Sequence, residues 1–241
     1  MDSTPLYNSR IINTYIRYIK KCYEHVNIDE LYEYARMEPY EVADQNHWFT
    51  QEQINRFHEK LAEITGAANI AREAGRYATS PEASGVMRQY VLGMLNPIEV
   101  YELVRKVAPQ FSRSSTYESK KINSEKIEII VTPNEGIQEQ PFQCENRIGQ
   151  FESIGLAFGN TLPKIDHPEC IFKGGRSCRY IIEWEDNRLY LLKRTRNIIA
   201  IILAIVSIIL TVIYPLDELI YFIPIIISTI LIINFLSDKK T

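Results

Sequence analysis

Apolar residues recur at helical spacing from Arg10 to about Val26, through Ile11, Ile12, Tyr15, Ile16, Ile19 and Tyr23, which predicts an amphipathic helix. A short helix follows from Asp29, with Leu31, Tyr34 and Ala35 on its apolar side. Thr50-Gln51-Glu52-Gln53 has the spacing of a capping box, opening a helix that carries Ile54, Phe57, Leu61 and Ile64 and ends at Gly66. Further helices are expected over 69–77 and 83–95, and another from Pro97, a residue suited to a first helical turn, to Val107. The pattern changes after a polar stretch, 112–124. Lys126-Ile127-Glu128-Ile129 alternates and runs into β-branched residues, as a strand does. Cys144 to Phe158 returns to helical spacing, and two extended runs, 165–172 and 178–184, join through Lys173-Gly174-Gly175-Arg176 as a hairpin. The expected fold class is α+β: an N-terminal helical layer packed on an antiparallel sheet with a C-terminal β-hairpin.

The last fifth of the chain differs in kind. Residues 198–214 and 219–236 are free of charge, Ile-rich and long enough for short bilayer-spanning helices, separated by the acidic turn Pro215-Leu216-Asp217-Glu218. Basic residues flank the pair, Lys193, Arg194 and Arg196 before it and Lys239 and Lys240 after it, which favours both ends on the cytoplasmic side. Met1 to Pro5 lacks the basic-then-apolar pattern of a secretory signal. The expected organisation is a cytoplasmic ligand-binding domain over 1–185, a basic helical connector over 186–197, a transmembrane helical hairpin over 198–236 and a cytoplasmic tail over 237–241, making a multi-pass protein of the cytoplasmic membrane. A net charge of −3, from 27 basic and 30 acidic residues, argues against nucleic-acid binding.

Three of the four cysteines, Cys144, Cys170 and Cys178, fall late in the polar part, and His167 stands three residues before Cys170. Cys170 and Cys178 lie on opposite arms of the expected hairpin. Three thiolates and an imidazole make a tetrahedral donor set of the kind zinc favours. Buried thiols without metal account for the same residues, and a disulfide would do so outside a reducing cytoplasm. Cys22, on the apolar side of the first helix, is read as core.

The string His167-Pro168-Glu169-Cys170, Lys173-Gly174-Gly175, Cys178-Arg179-Tyr180 resembles the C-terminal signature of the 4-vinyl reductase domain, a relative of the haem NO-binding domain and of TRAPP transport-particle subunits. Asn46 to Gln51, Ala71 to Arg76 and Cys144 to Gly149 resemble the input domains of that type at the front of bacterial sensor histidine kinases and cyclases. The resemblance implies zinc held by Cys144, Cys170 and Cys178, with His167 in the place of the family's glutamate. It also implies an apolar pocket that detects a small hydrophobic molecule.

No catalytic spacing emerges around His47, His58, Glu52 or Glu59, and no nucleotide-binding glycine motif is present, so an enzyme is not expected. Candidate pocket residues are Met87, Tyr90, Met94, Tyr101, Phe151 and Phe158. The expected partners are a small hydrophobic ligand, the lipid bilayer, a second copy of the chain in a homodimer, and a signalling output domain or partner such as a histidine kinase or cyclase. Occupancy would pass to it through a zinc-clasped hairpin. The alternative is a membrane tether or assembly scaffold of the TRAPP-subunit type.

Overall fold

The structure, a computed structural model, describes residues 4–80, 82–83, 95–159 and 161–185, and 195–199, 201–203, 205–206 and 208–209 of the apolar tail. Strand β1 (Pro5–Asn8) leads into α1 (Ser9–Cys22), whose first turn is capped by the Asn8 side chain accepting from the Arg10 N–H at 3.1 Å. α2 (Ile28–Ala35) starts at an Asn27 cap, two residues before Asp29, and α3 (Pro39–Ala43) carries a Glu38/Glu41 capping box. β2 (Trp48–Thr50) pairs antiparallel with β1. α4 (Gln51–Thr65) has the expected Thr50/Gln53 box and ends on Gly66 at φ 63°, the left-handed conformation glycine adopts without strain. α5 (Ile70–Tyr77) and α6 (Pro97–Val107) follow, the latter with Pro97 in its first turn and an Asn96/Glu99 box. The predicted helix over 83–95 lies almost wholly outside the described residues.

Four antiparallel strands form the second layer in the order β3 (Ser115–Lys121), β4 (Lys126–Pro133), β6 (Cys178–Glu183), β5 (Lys164–Glu169). β3 occupies the polar stretch to which the sequence pattern assigned no element. It is an edge strand, so its sequence, Ser-Thr-Tyr-Glu-Ser-Lys-Lys, lacks the alternation that exposes a half-buried strand in the sequence. The central strands show that alternation plainly: Val131, Ile129 and Ile127 stand opposite Cys178, Tyr180 and Ile182, all buried on one face. That face is covered by α7 (Pro141–Gly159) through Cys144, Ile148 and Phe151, and by Tyr101 of α6. The helices α1 to α5 bury a separate cluster around Ile12, Ile19, Phe49, Phe57 and Leu61.

α5 and α7 join the two layers. Where they cross, both helices carry glycine: a Cβ on Gly149 would stand 1.9 Å from the Arg72 carbonyl oxygen, and one on Gly75 2.2 Å from that of Asn146. Glu152 locks the crossing, accepting from Arg72 at 2.5 and 3.1 Å and from Arg76 at 2.7 and 3.0 Å. Cys22 is exposed, not core, because α1 ends there with its last turn in solvent. The expected spans 198–214 and 219–236 lie for the most part outside the described residues, and among the described residues no helix is long and apolar enough to cross a membrane. The described part of 195–209 is helical, with Ile201, Ile202, Ile205 and Ile208 exposed.

Candidate functional site: an apolar cavity between α1 and α7

A cavity of about 600 Å³ lies between α1, α4, α5, α6 and α7. Small residues lie along it, Ala74 and Gly75 of α5 and Ala78 at that helix's end. Val100, Leu103 and Val104 of α6 and Ile154, Ala157 and Phe158 of α7 make its apolar wall. A volume of this size holds a small organic molecule.

Polar groups at the cavity edge are mostly committed to one another. Tyr7 donates its hydroxyl hydrogen to Gln51 and accepts from Gln143 at 2.6 Å, and burial pushes its pKa up to about 12. The Tyr15 hydroxyl accepts from Asn146 at 3.0 Å, and burial raises its pKa too. Arg147, fully enclosed on α7, donates to Glu139, to Ser115 at 3.3 Å and to the Tyr117 hydroxyl at 3.0 Å. Burial acts to raise the Glu139 pKa, but the Arg147 charge and the hydroxyls of Ser115 and Ser114 outweigh it and hold the carboxyl below the usual range. His58 lies flat on Phe142, with ring centroids 3.9 Å apart and planes at 7°. Desolvation pushes its pKa down to about 4, so its ring is neutral near pH 7.

The cysteines form a second site; none of them lines the cavity, but the cavity-lining Arg147 reaches the Cys144 sulfur at 4.0 Å. The sulfurs of Cys144, Cys170 and Cys178 all lie within 4.8 Å of one another and are buried. Cys144 and Cys178 are hydrogen-bonded at 3.4 Å. That bond raises the Cys144 pKa and lowers that of Cys178. His167 is not among the clustered ligand atoms: its strand has a register shift between Asp166 and Glu169, its ring stacks on Tyr180 with centroids 4.3 Å apart, and its Nε2 is buried without a hydrogen-bond partner, while its side chain is near enough to Cys178 to help hold that thiol's pKa down. Of the candidate pocket residues, Phe158 lines the cavity. Tyr101 and Phe151 sit in the core beside the sheet, where the Tyr101 hydroxyl donates to the Phe151 carbonyl at 2.8 Å. Met87, Tyr90 and Met94 lie outside the described residues.

No protein-family model and no curated protein sequence matches the chain. Solved structures do. An H-NOX protein of S. oneidensis in the Fe(II) ligation state superposes with a TM-score of 0.58 at 14% identity, over 75% of this chain and 97% of that one. A single-site mutant of the T. Tengcongensis H-NOX gives 0.56 at 17% identity, over 74% and 98%. A structure described as probing heme distortion in the H-NOX family gives 0.58 at 18% identity, over 74% and 95%. The fold is that of the H-NOX domains.

This likeness corrects the expectation of a zinc cofactor, since the proteins that share the fold are described with Fe(II) and heme. Whether haem suits this chain is decided by the donors on the cavity wall. The chain has four histidines, and of His25, His47, His58 and His167 only His58 reaches the cavity. Its ring is held by stacking on Phe142, and no hydrogen-bonding partner orients it as ligating imidazoles require. No cysteine lines the cavity, and the hydroxyls of Tyr7, Tyr15 and Tyr117 are already hydrogen-bonded. Among the described residues, then, the cavity wall offers no oriented axial ligand for a haem iron, and they do not fit an iron-ligated haem.

The sequence alone did not point to α1 as a cavity wall. Its cavity side carries Arg10, Thr14 and Arg17 at helical spacing, and two arginines on the side of a helix that also buries Ile12, Tyr15 and Ile16 were the available signal.

Proposed function

We propose that this chain is a sensory ligand-binding module without enzymatic activity, in which residues 1–185 take up a small apolar molecule and the segment 186–236 holds the module at a membrane and conveys occupancy to a signalling partner of the kinase or cyclase kind. The observation that carries the ligand reading is the cavity itself: about 600 Å³ with an apolar wall, placed at the junction of the two layers. A site of that size with an apolar wall is of the kind that takes up a small organic molecule. The membrane part of the reading rests on the sequence of 198–236, supported by the exposed isoleucines described there. Signal transfer would follow if the ligand prefers one of two arrangements of α5, α6 and α7, since a ligand shifts an equilibrium only by its differential affinity for the two states.

The test is purification of the full chain in mild detergent, mass spectrometry of its organic extract and a visible absorption spectrum. An extracted apolar molecule that competes with added probe, and no Soret band, is the expected result. A Soret band with one haem per chain would overturn the assignment of a cavity without iron. A chain that yields no extractable molecule and binds no apolar probe would overturn the ligand reading and leave a scaffold. Recovery of the full chain in a membrane pellet that resists alkaline washing checks the anchor, and recovery in the wash refutes it.

A further inference from the structure

The cavity wall is apolar but not electrically neutral. Three arginines reach it, Arg10, Arg17 and Arg147, and among the described residues no aspartate or glutamate does. The three are not equivalent. Arg147 is matched by Glu139, and among the described residues Arg17 makes only long contacts, 3.5 Å, with the carbonyls of Glu82 and Ala83. Among the described residues Arg10 has no acidic partner, and its Nε is buried without a hydrogen-bond partner. Its guanidinium rests over the Phe111 ring, 5.2 Å from the centroid, an attraction that steadies the group but leaves the Nε–H without an acceptor. A buried donor without an acceptor is unfavourable, and a forked cation answers most strongly to a carboxylate.

We propose that the ligand of this cavity is an amphipathic carboxylate, with its apolar body against α6 and α7 and its carboxylate on the guanidinium of Arg10. The proposal rests on the ligand-binding reading given above and adds the chemical class. It gives the unmatched cation on the first turn of α1 a partner that the apolar wall cannot supply. Neutral hydrocarbons would leave Arg10 unpaired, and cationic amphipaths would be repelled by it.

Isothermal titration of the purified full chain with 6-phenylhexanoate and with its neutral amide, 6-phenylhexanamide, tests this. The expected result is tighter binding of the acid, by roughly ten-fold or more, as a charge-assisted hydrogen bond implies. Arg10→Gln should bring the two affinities within about two-fold by weakening the acid alone, while Arg10→Lys should retain a preference for the acid. Equal affinity of acid and amide in the wild-type chain, a comparison that needs no variant, would overturn the carboxylate assignment and leave the apolar cavity standing. Undetectable binding of both would overturn the cavity reading as well. A preference for the acid that survives in a folded Arg10→Gln chain would remove Arg10 from the role.

Discussion

Replacing Gly149 by alanine is the most direct probe of the junction that shapes the cavity. The added methyl would stand 1.9 Å from the Arg72 carbonyl oxygen and 2.9 Å from the Arg76 nitrogen, both backbone atoms that cannot swing aside. Restoring an ordinary contact of 3.4 Å requires α5 and α7 to separate by about 1.5 Å. The same movement would stretch the four Arg72 and Arg76 contacts to Glu152, now 2.5 to 3.1 Å, beyond hydrogen-bonding range. Overpacking of this kind costs about 1–3 kcal/mol, and loosening the clamp raises the expected loss to about 2–4 kcal/mol. For a chain of this size that corresponds to a fall in Tm of roughly 5–15 °C, measured by circular dichroism in the same detergent as the wild type. Affinity for 6-phenylhexanoate should fall in parallel, because Gly75 and Ala78 on one helix and Ile154 and Phe158 on the other line the cavity. Gly66→Ala is the control: φ is 63° there with open space around the site, so about 1 kcal/mol of backbone strain should appear with no effect on binding. A Gly149→Ala chain within about 0.5 kcal/mol of wild type would refute the close crossing of the two helices.

Glu152→Gln should cost about 1–2 kcal/mol in denaturant titration near neutral pH, a figure reduced because Arg72 and Arg76 are more than a third exposed. Burial opposes ionisation of Glu152, but the hydrogen bonds from Arg72 and Arg76 prevail and lower its pKa, so this stability is present above about pH 4.5 and lost as pH falls through the folded value; the variant should show a shallower acid limb. His58 behaves with the same sign through a different cause, since burial alone lowers its pKa from 6.5 to about 4. The unfolded chain binds more protons in that window, so about 1–3 kcal/mol of stability should drain away as pH falls from 6.5 to 4, and His58→Phe should flatten that decline; an unchanged slope would show that His58 is solvated. Tyr101→Phe removes the 2.8 Å bond to the Phe151 carbonyl and should cost about 1 kcal/mol by thermal unfolding without altering probe affinity, because Tyr101 lies in the core and not on the cavity wall.

The sequence disclosed elements wherever local chemistry was self-sufficient. The Thr50/Gln53 box, Gly66 and Pro97 marked true helix ends, and the alternation of β4 and the hairpin of β5 and β6 could be read from their residues alone. It concealed β3, whose edge position demands no apolar face, and β1 and β2, three or four residues long. The thiol cluster was legible because Cys178 and Cys170 flank one tight turn and Cys144 falls on the helix that covers it. The setting of His167 was not legible, because spacing along a strand says nothing of the register shift beside it or of its ring stacking on Tyr180. The cavity was hidden for a different reason. Its wall is assembled from five helices, and residues at helical spacing on each of them look alike whether they face core or empty space.

A fold shared at 14–18% identity fixes where a cavity lies and leaves open what fills it. In this chain the distinction can be drawn from individual side chains. Iron needs an oriented donor, and among the described residues the wall offers one stacked imidazole and three hydroxyls already engaged with Gln51, Gln143, Asn146 and Arg147. An amphipathic acid needs only an apolar wall and one unmatched cation, and both are present. Arg147 and Arg10 show why the count of charges alone would mislead. Arg147 is fully enclosed yet satisfied by Glu139 and Ser115, so it contributes structure, linking the cavity floor on α7 to β3. Arg10 is only half-buried, yet its Nε lacks an acceptor, so it is the group with binding capacity to offer. Removing the acid that pairs with one arginine and removing the arginine that has no acid should therefore act on different observables: Glu139→Gln on stability, through an uncompensated buried cation, and Arg10→Gln on ligand choice.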